Sequence, residues 1–200
     1  MNMDALVRAV QQHLGVAVDG RPGPETWNAI YTALIGAPVP VTREFSGKVD
    51  ARSEGVIEKL LPEVREYARA LVKRAAAISI EVKVIGGLRT YAEQDALYAQ
   101  GRTQPGQKVT NAKGGESNHN FGIAFDVGIF EGRNYLPASP AYDVVGAIGT
   151  EIGLEWGGHW TSLIDKPHYQ LRPDWATDLS EREMLVELRK RVQNNMPIYD

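Results

Sequence analysis

The run Gly122-Ile-Ala-Phe-Asp-Val-Gly-Ile-Phe130 constrains the fold more than any other stretch of the chain. Ile123, Phe125, Val127 and Ile129 occupy alternate positions, and alternate side chains of a strand share one face. The pattern predicts a strand laid on a core. Asp126 then points to the opposite face, beside the small Ala124 and Gly128, which leave room around it. A carboxylate inside such a run is costly unless something pairs it. A second short strand is predicted from about Pro167 to Leu171, with His168 and Gln170 on one face and Tyr169 on the other. If the two strands pair, Asp126 and His168 meet on one surface. His119, in the loop entering the first strand, can complete a three-residue set.

Such a set has a chemical reading. The chain has no cysteine and four histidines. Thiolate sites, iron–sulfur clusters and disulfides are therefore excluded, and a transition-metal site must use His, Asp or Glu. Two histidines and one carboxylate form a common catalytic zinc arrangement that leaves a position open for water. Zinc lowers the pKa of such a water to about 7. Hydrolysis also needs a group to take up and return a proton. Asp165, held near His168 by Pro167, is the candidate. Arg89, at a strand-to-helix turn, can clamp a carboxylate or carbonyl oxygen. Plainer readings stand beside these. A loop histidine also satisfies local hydrogen bonds, Arg89 suits an ordinary ion pair, and Asp165 suits a turn. His159, between Gly158 and Trp160, favours cleft lining, and His13 reads as surface or local packing.

Periodicity supplies the frame. A helix is expected from Asp4, as N-cap, to Gly15, as stop. After a Gly/Pro turn a second is expected from Glu25 to Leu34, with Trp27, Ile30 and Leu34 on one face. Residues 37–52 read as a linker. Residues 53–77 predict two helical pieces that break near Pro62. Strand 80–85 leads through Gly86-Gly87 to a helix from Tyr91 to Gln100, capped by Thr90 with Glu93. Residues 101–118 read as loop, 141–152 as helix, and 180–193 as a C-terminal helix capped by Ser180. This order predicts an α+β fold: a small antiparallel sheet flanked by helices, with a short N-terminal helical segment. The expected division is residues 1–36, a linker over 37–52, and a catalytic domain over 53–200.

No apolar run approaches the ~18 residues of a membrane span, and a net charge of -3 argues against broad nucleic-acid binding or stable membrane insertion. The first twenty residues lack the basic start and apolar core of a secretory signal. Synthesis in the cytoplasm and a monomeric state are expected.

The motifs Ser117-x-His119-x6-Asp126 and Asp165-x-Pro167-His168-x-Gln170 resemble the zinc D-alanyl-D-alanine carboxypeptidase superfamily. The stretch Gly86-Gly87-Leu88-Arg89-Thr90-Tyr91-Ala92-Glu93-Gln94, the loop Asn111–Asn120 and Trp156-Gly157-Gly158 are similar to its L-alanyl-D-glutamate endopeptidase branch, common among phage endolysins. The resemblance covers roughly residues 52–172. It implies a hedgehog/D-Ala-D-Ala peptidase-like fold and one zinc ion on His119, Asp126 and His168. It also implies Asp165 as catalytic carboxylate, and Arg89 and Ser117 in contact with substrate. His159 and Gln170 are taken as further substrate contacts, although His159 departs from the acidic or polar residue expected there.

The segment around Val18-Asp19-Gly20 and Gly23-Pro24-Glu25-Thr26-Trp27 resembles a peptidoglycan-binding module, over about residues 4–35. Packing of this pair on the catalytic domain is the plainer alternative. The implied activity is a bacteriolytic peptidoglycan endopeptidase. It would reach the wall through a holin-type pore or dedicated export. A D-Ala-D-Ala carboxypeptidase and a non-catalytic wall-binding protein are the rivals.

Overall fold

The computed structural model describes residues 2–20, 24–35, 47–161 and 163–199. The chain opens with α1 (Met3–Leu14) and α2 (Pro24–Ile35), followed by α3 (Ala51–Ile57) and α4 (Pro62–Ala77). β1 (Glu81–Gly86), α5 (Tyr91–Ala99), β2 (Ala124–Glu131), β3 (Asn134–Tyr135) and α6 (Ala141–Glu151) come next. β4 (Glu155–Trp156), β5 (His168–Gln170) and α7 (Glu181–Gln193) complete the order. The fold is α+β, as the periodicity predicts.

The sheet runs β1-β2-β5-β4, with β3 added to β2, and every pairing is antiparallel. One face carries the core: Phe125, Val127 and Ile129 of β2 pack with Val82 and Val84 of β1 and Tyr169 of β5. Val64, Ala68, Leu71 and Ala75 of α4, spaced at three and four residues, close over them. Tyr142 and Val145 of α6 seal the other end. Phe125 and Tyr169 stack with ring centroids 5.7 Å apart. Full burial of each such side chain contributes about 1.5–3 kcal/mol. Ile123 lies just before β2 and joins a second cluster instead, with Phe121, Ala176 and the α7 residues Met184 and Leu188. α7 is thereby docked on the loop that feeds the strand.

Several boundaries differ from the sequence reading. Asn2, not Asp4, caps α1, because its side chain accepts from the Asp4 amide. Asp50 caps α3 through the Ser53 amide, so residues 50–52 of the expected linker belong to the catalytic unit. Most of that linker, residues 37–46, lies outside the described residues. Trp27 and Leu34, read as sharing one face of the second helix, are 58% and 78% exposed. Among the described side chains of this helix pair the buried ones are polar: Gln11 and Thr26. Gln11 Nε2 donates to Asp19 Oδ1 at 2.6 Å and Thr26 Oγ1 at 2.9 Å, while its Oε1 accepts from the Gly20 amide. Two short helices cannot enclose a large apolar core, and a buried amide joins them to their loop instead.

Candidate metal centre

Asp126 leaves β2 on the face away from the core. Register places it opposite His168 on β5 and opposite Gly86 on β1, just after a bulge. A Cβ at Gly86 would lie 2.7 Å from Asp126 Oδ2, so only glycine leaves this space for the carboxylate. His119 sits on a 3-10 turn over residues 118–121, a turn inside the stretch read as loop and strand entry. Its backbone oxygen accepts from the Arg89 amide, and Asn120 Nδ2 donates to the Arg89 oxygen at 2.8 Å. Gly122 ends the turn with φ +70°, a left-handed conformation suited to glycine.

The two imidazoles aim different nitrogens at Asp126. His119 Nδ1 lies 2.9 Å from the Gly87 carbonyl oxygen, which only accepts, so that nitrogen carries the proton. Its Nε2 is 3.3 Å from Asp126 Oδ1. In His168 the far nitrogen is Nε2, 3.0 Å from Gln170 Oε1, and Nδ1 is 3.4 Å from Asp126 Oδ1. The ring centroids are 5.1 Å apart. One ligand atom from each residue lies within 4.8 Å of the others, and among the described residues this is the group that could hold a metal ion. Each ring has its far nitrogen held by an oxygen and its near nitrogen turned towards Asp126, which is how metal-binding histidines are oriented. The donor set suits zinc and leaves a position for water.

Electrostatics reinforce the arrangement. Burial pushes Asp126 upward, but His119 and His168 outweigh it and hold the carboxyl well below the usual range. Burial pulls His168 down, yet Asp126 raises it above an ordinary histidine.

Asp165 precedes β5. Its amide donates to the Gly157 oxygen at 3.0 Å and its own oxygen accepts from the His168 amide at 3.1 Å. Gly157 has no room for a side chain, since a Cβ would press on Asp165 and on His168 Cβ at 3.1 Å. Burial, together with the charge on Asp126, pushes the Asp165 carboxyl above its usual range, against the pull of His168 and His119. Arg89 Nη2 is 3.8 Å from Asp126 Oδ2, while Nη1 donates to Gln94 Oε1 at 2.7 Å. Gln94 is completely buried and fastened to the Ala112 oxygen.

The remaining candidates fall elsewhere. Ser117 is half-buried at the start of the 3-10 turn and makes no capping bond through its side chain. His159 is exposed and lies edge-on to Trp156, with centroids 4.9 Å apart. It is Trp160 whose ring packs against His168, at 4.8 Å. Gln170 has no exposed surface to offer a substrate. The substrate contact expected there gives way to its bond with His168. Gln94 and Asn118 lie inside motifs quoted above, but their bonds to Arg89 and Gln170, like the contacts of Trp160 and Glu155, form only when β4, β5 and α5 are in place.

The family described as D-alanyl-D-alanine carboxypeptidase matches residues 110–171. The chain is 38% identical over 125 residues to the peptidoglycan L-alanyl-D-glutamate endopeptidase CwlK of Bacillus subtilis, covering 58% of this chain and 75% of that protein. It is 28% identical over 123 residues to the L-alanyl-D-glutamate peptidase of Listeria phage A118, covering 60% of this chain and 41% of that one. A crystal structure of the L-Ala D-Glu endopeptidase ChiX of Serratia marcescens overlaps 66% of this chain and 94% of its own, with a TM-score of 0.49 and 23% identity. On the match to three quarters of the Bacillus enzyme, with the 110–171 profile inside the same unit, the chain belongs to the D-alanyl-D-alanine carboxypeptidase family of peptidases.

Proposed function

We propose that this protein is a zinc-dependent peptidoglycan endopeptidase that hydrolyses the L-alanyl-D-glutamate amide of wall stem peptides. The observation that carries this reading is the convergence of His119, Asp126 and His168 with Asp165 beside them and Arg89 across Asp126. His119 Nε2, an Asp126 oxygen and His168 Nδ1 would hold the ion. When bound, zinc acidifies a water and polarises the scissile carbonyl. Asp165 takes the proton of the attacking water and returns it to the leaving nitrogen as the C–N bond breaks and the new C–O bond forms. Its raised affinity for protons suits it to both halves of that relay. Arg89, fixed by Gln94, presents a guanidinium to a substrate carboxylate or to the developing oxyanion. Trp160 covers His168 and shields that side of the centre from water.

The choice of bond follows the names carried by the Bacillus and phage relatives. Removal of terminal D-alanine is the second reading, favoured by the description of the matching family. Digesting purified cell walls and identifying new amino termini by mass spectrometry separates them. New D-glutamate amino termini support the endopeptidase, free D-alanine supports the carboxypeptidase, and no product from the zinc-loaded protein overturns both.

Residues 1–36 are proposed to bind the wall. The exposed Trp27 and Leu34 offer apolar surface for it. The site of action is then the cell wall. No described helix is long and apolar enough to cross a membrane. Every group in the proposed mechanism comes from one chain, so a monomer suffices.

A further inference from the structure

Behind His168 lies a closed ring of five side chains. Gln170 Oε1 accepts from Asn118 Nδ2 at 2.5 Å, and Gln170 Nε2 donates to Glu155 Oε2 at 2.5 Å. The other oxygen of Glu155 accepts from Arg172 Nε. Arg172 Nη2 donates to Glu181 Oε2 at 3.0 Å, and Glu181 Oε1 accepts from Asn118 Nδ2 at 2.5 Å, which closes the ring. Asn118, Glu155, Gln170, Arg172 and Glu181 come from the 3-10 turn, β4, β5, the segment after β5, and the first turn of α7.

We infer that this ring sets the tautomer of His168 and thereby tunes metal affinity, with Glu155 and Glu181 as positioning residues. The inference rests on the proposed reading of His168 as a metal ligand. A carboxylate only accepts hydrogen bonds, so whatever faces it must donate. Glu155 therefore turns the Gln170 amide so that its NH2 points to β4, and Glu181 turns the Asn118 NH2 inward. Gln170 Oε1 is left facing His168 Nε2, and an oxygen there requires the imidazole proton on that nitrogen. Nδ1 is then bare and directed at Asp126. His119 needs no such device, because a backbone carbonyl fixes its proton. The ring also gives α7 a task beyond packing. Glu181 is a rim residue, its side chain 47% exposed, and through Asn118 it reaches the residue next to ligand His119.

The test uses the full-length protein and zinc itself. Nitrogen-15 NMR of the metal-free protein, at alkaline pH where the ring is neutral, reads the tautomer. Chelator competition reads zinc affinity. The wild type should show the His168 proton on Nε2. Gln170→Met should give a mixture of tautomers and weaken zinc binding by about 10–100-fold, the usual cost of losing a partner behind a ligand. Glu181→Ala, at the exposed edge, should shift both readouts the same way by less. Gln170→Glu combined with Glu155→Gln exchanges amide and carboxylate while every bond of the ring keeps a donor and an acceptor. This pair should restore the tautomer and most of the affinity. A thermal shift in Gln170→Met with tautomer and affinity unchanged overturns the inference and leaves the ring purely structural. A wild-type protein that takes up no zinc overturns the ligand reading, and this inference with it.

Discussion

In the N-terminal helix pair the completely buried amide is Gln11, and it fastens Asp19, Gly20 and Thr26 to one another. In the sheet unit the completely buried amides are Gln94 and Gln170, which fasten Arg89 and His168. The same side chain under the same burial serves a loop in one region and a reaction centre in the other. What differs is the apolar support. Around the sheet, Leu71, Phe125, Val127 and Tyr169 form a continuous core, so polar groups on the far face are free to be arranged for chemistry. In the helix pair the polar cluster itself holds the fold, while Trp27 and Leu34 stay outside.

The comparison breaks most visibly at the ligands. His168→Ala should abolish stoichiometric zinc uptake and lower hydrolysis of wall peptide by at least about a thousandfold, since both the acidified water and the polarised carbonyl are lost. Binding to isolated walls should persist if residues 1–36 supply it. Metal analysis and a wall pull-down read the two effects separately. Asp165→Asn should keep zinc and lower kcat by about 10²–10⁴-fold, the usual contribution of a positioned acid–base group. Loss of zinc in that variant would make Asp165 structural rather than catalytic.

Stability sharpens the contrast at a smaller scale. Glu54, nearly buried under α4, is lowered to about 2 chiefly by its bond with Arg69, against the opposing effect of burial. Its folded value lies below its unfolded one. The stabilisation is therefore present above the ordinary carboxylate range and is lost as pH falls from about 4.5 to about 2. The shift corresponds to something on the order of 3 kcal/mol. Urea midpoints measured through that window should fall steeply in the wild type and much less in Glu54→Gln. In the helix pair, Gln11→Leu should cost about 1–3 kcal/mol by removing the buried amide that joins Asp19, Gly20 and Thr26. It should abolish hydrogen-exchange protection in α1 and leave zinc affinity unchanged. A matching loss of zinc would show that the two regions are not independent.

The proposed ligand set was legible because a period of two is unambiguous. Asp126 falls on the face opposite Ile123, Phe125, Val127 and Ile129, where a charge needs a partner, and His168 repeats the logic beside Tyr169. Pairing of the two strands then placed them opposite each other. Helical spacing put Trp27 and Leu34 on one face, but spacing does not tell whether anything covers a face, and both are exposed. His159 is exposed beside Trp156, while its neighbour Trp160 packs against His168, a difference spacing alone does not reveal. Gln170 was placed on the right face, but its burial depends on Glu155 lying opposite it across β4 and β5. That register has no local signature, since β4 spans only Glu155–Trp156.

The central claim is that these residues make a metal-dependent cut between L-alanine and D-glutamate. A soluble stem peptide carrying that bond and a terminal D-alanine tests it most directly, incubated with chelated protein, with zinc-reloaded protein and with Asp165→Asn. Free L-alanine, released only by the zinc-reloaded wild type and in proportion to bound zinc, is the predicted result. Release of D-alanine alone, or equal cleavage by the chelated protein or by Asp165→Asn, would contradict it.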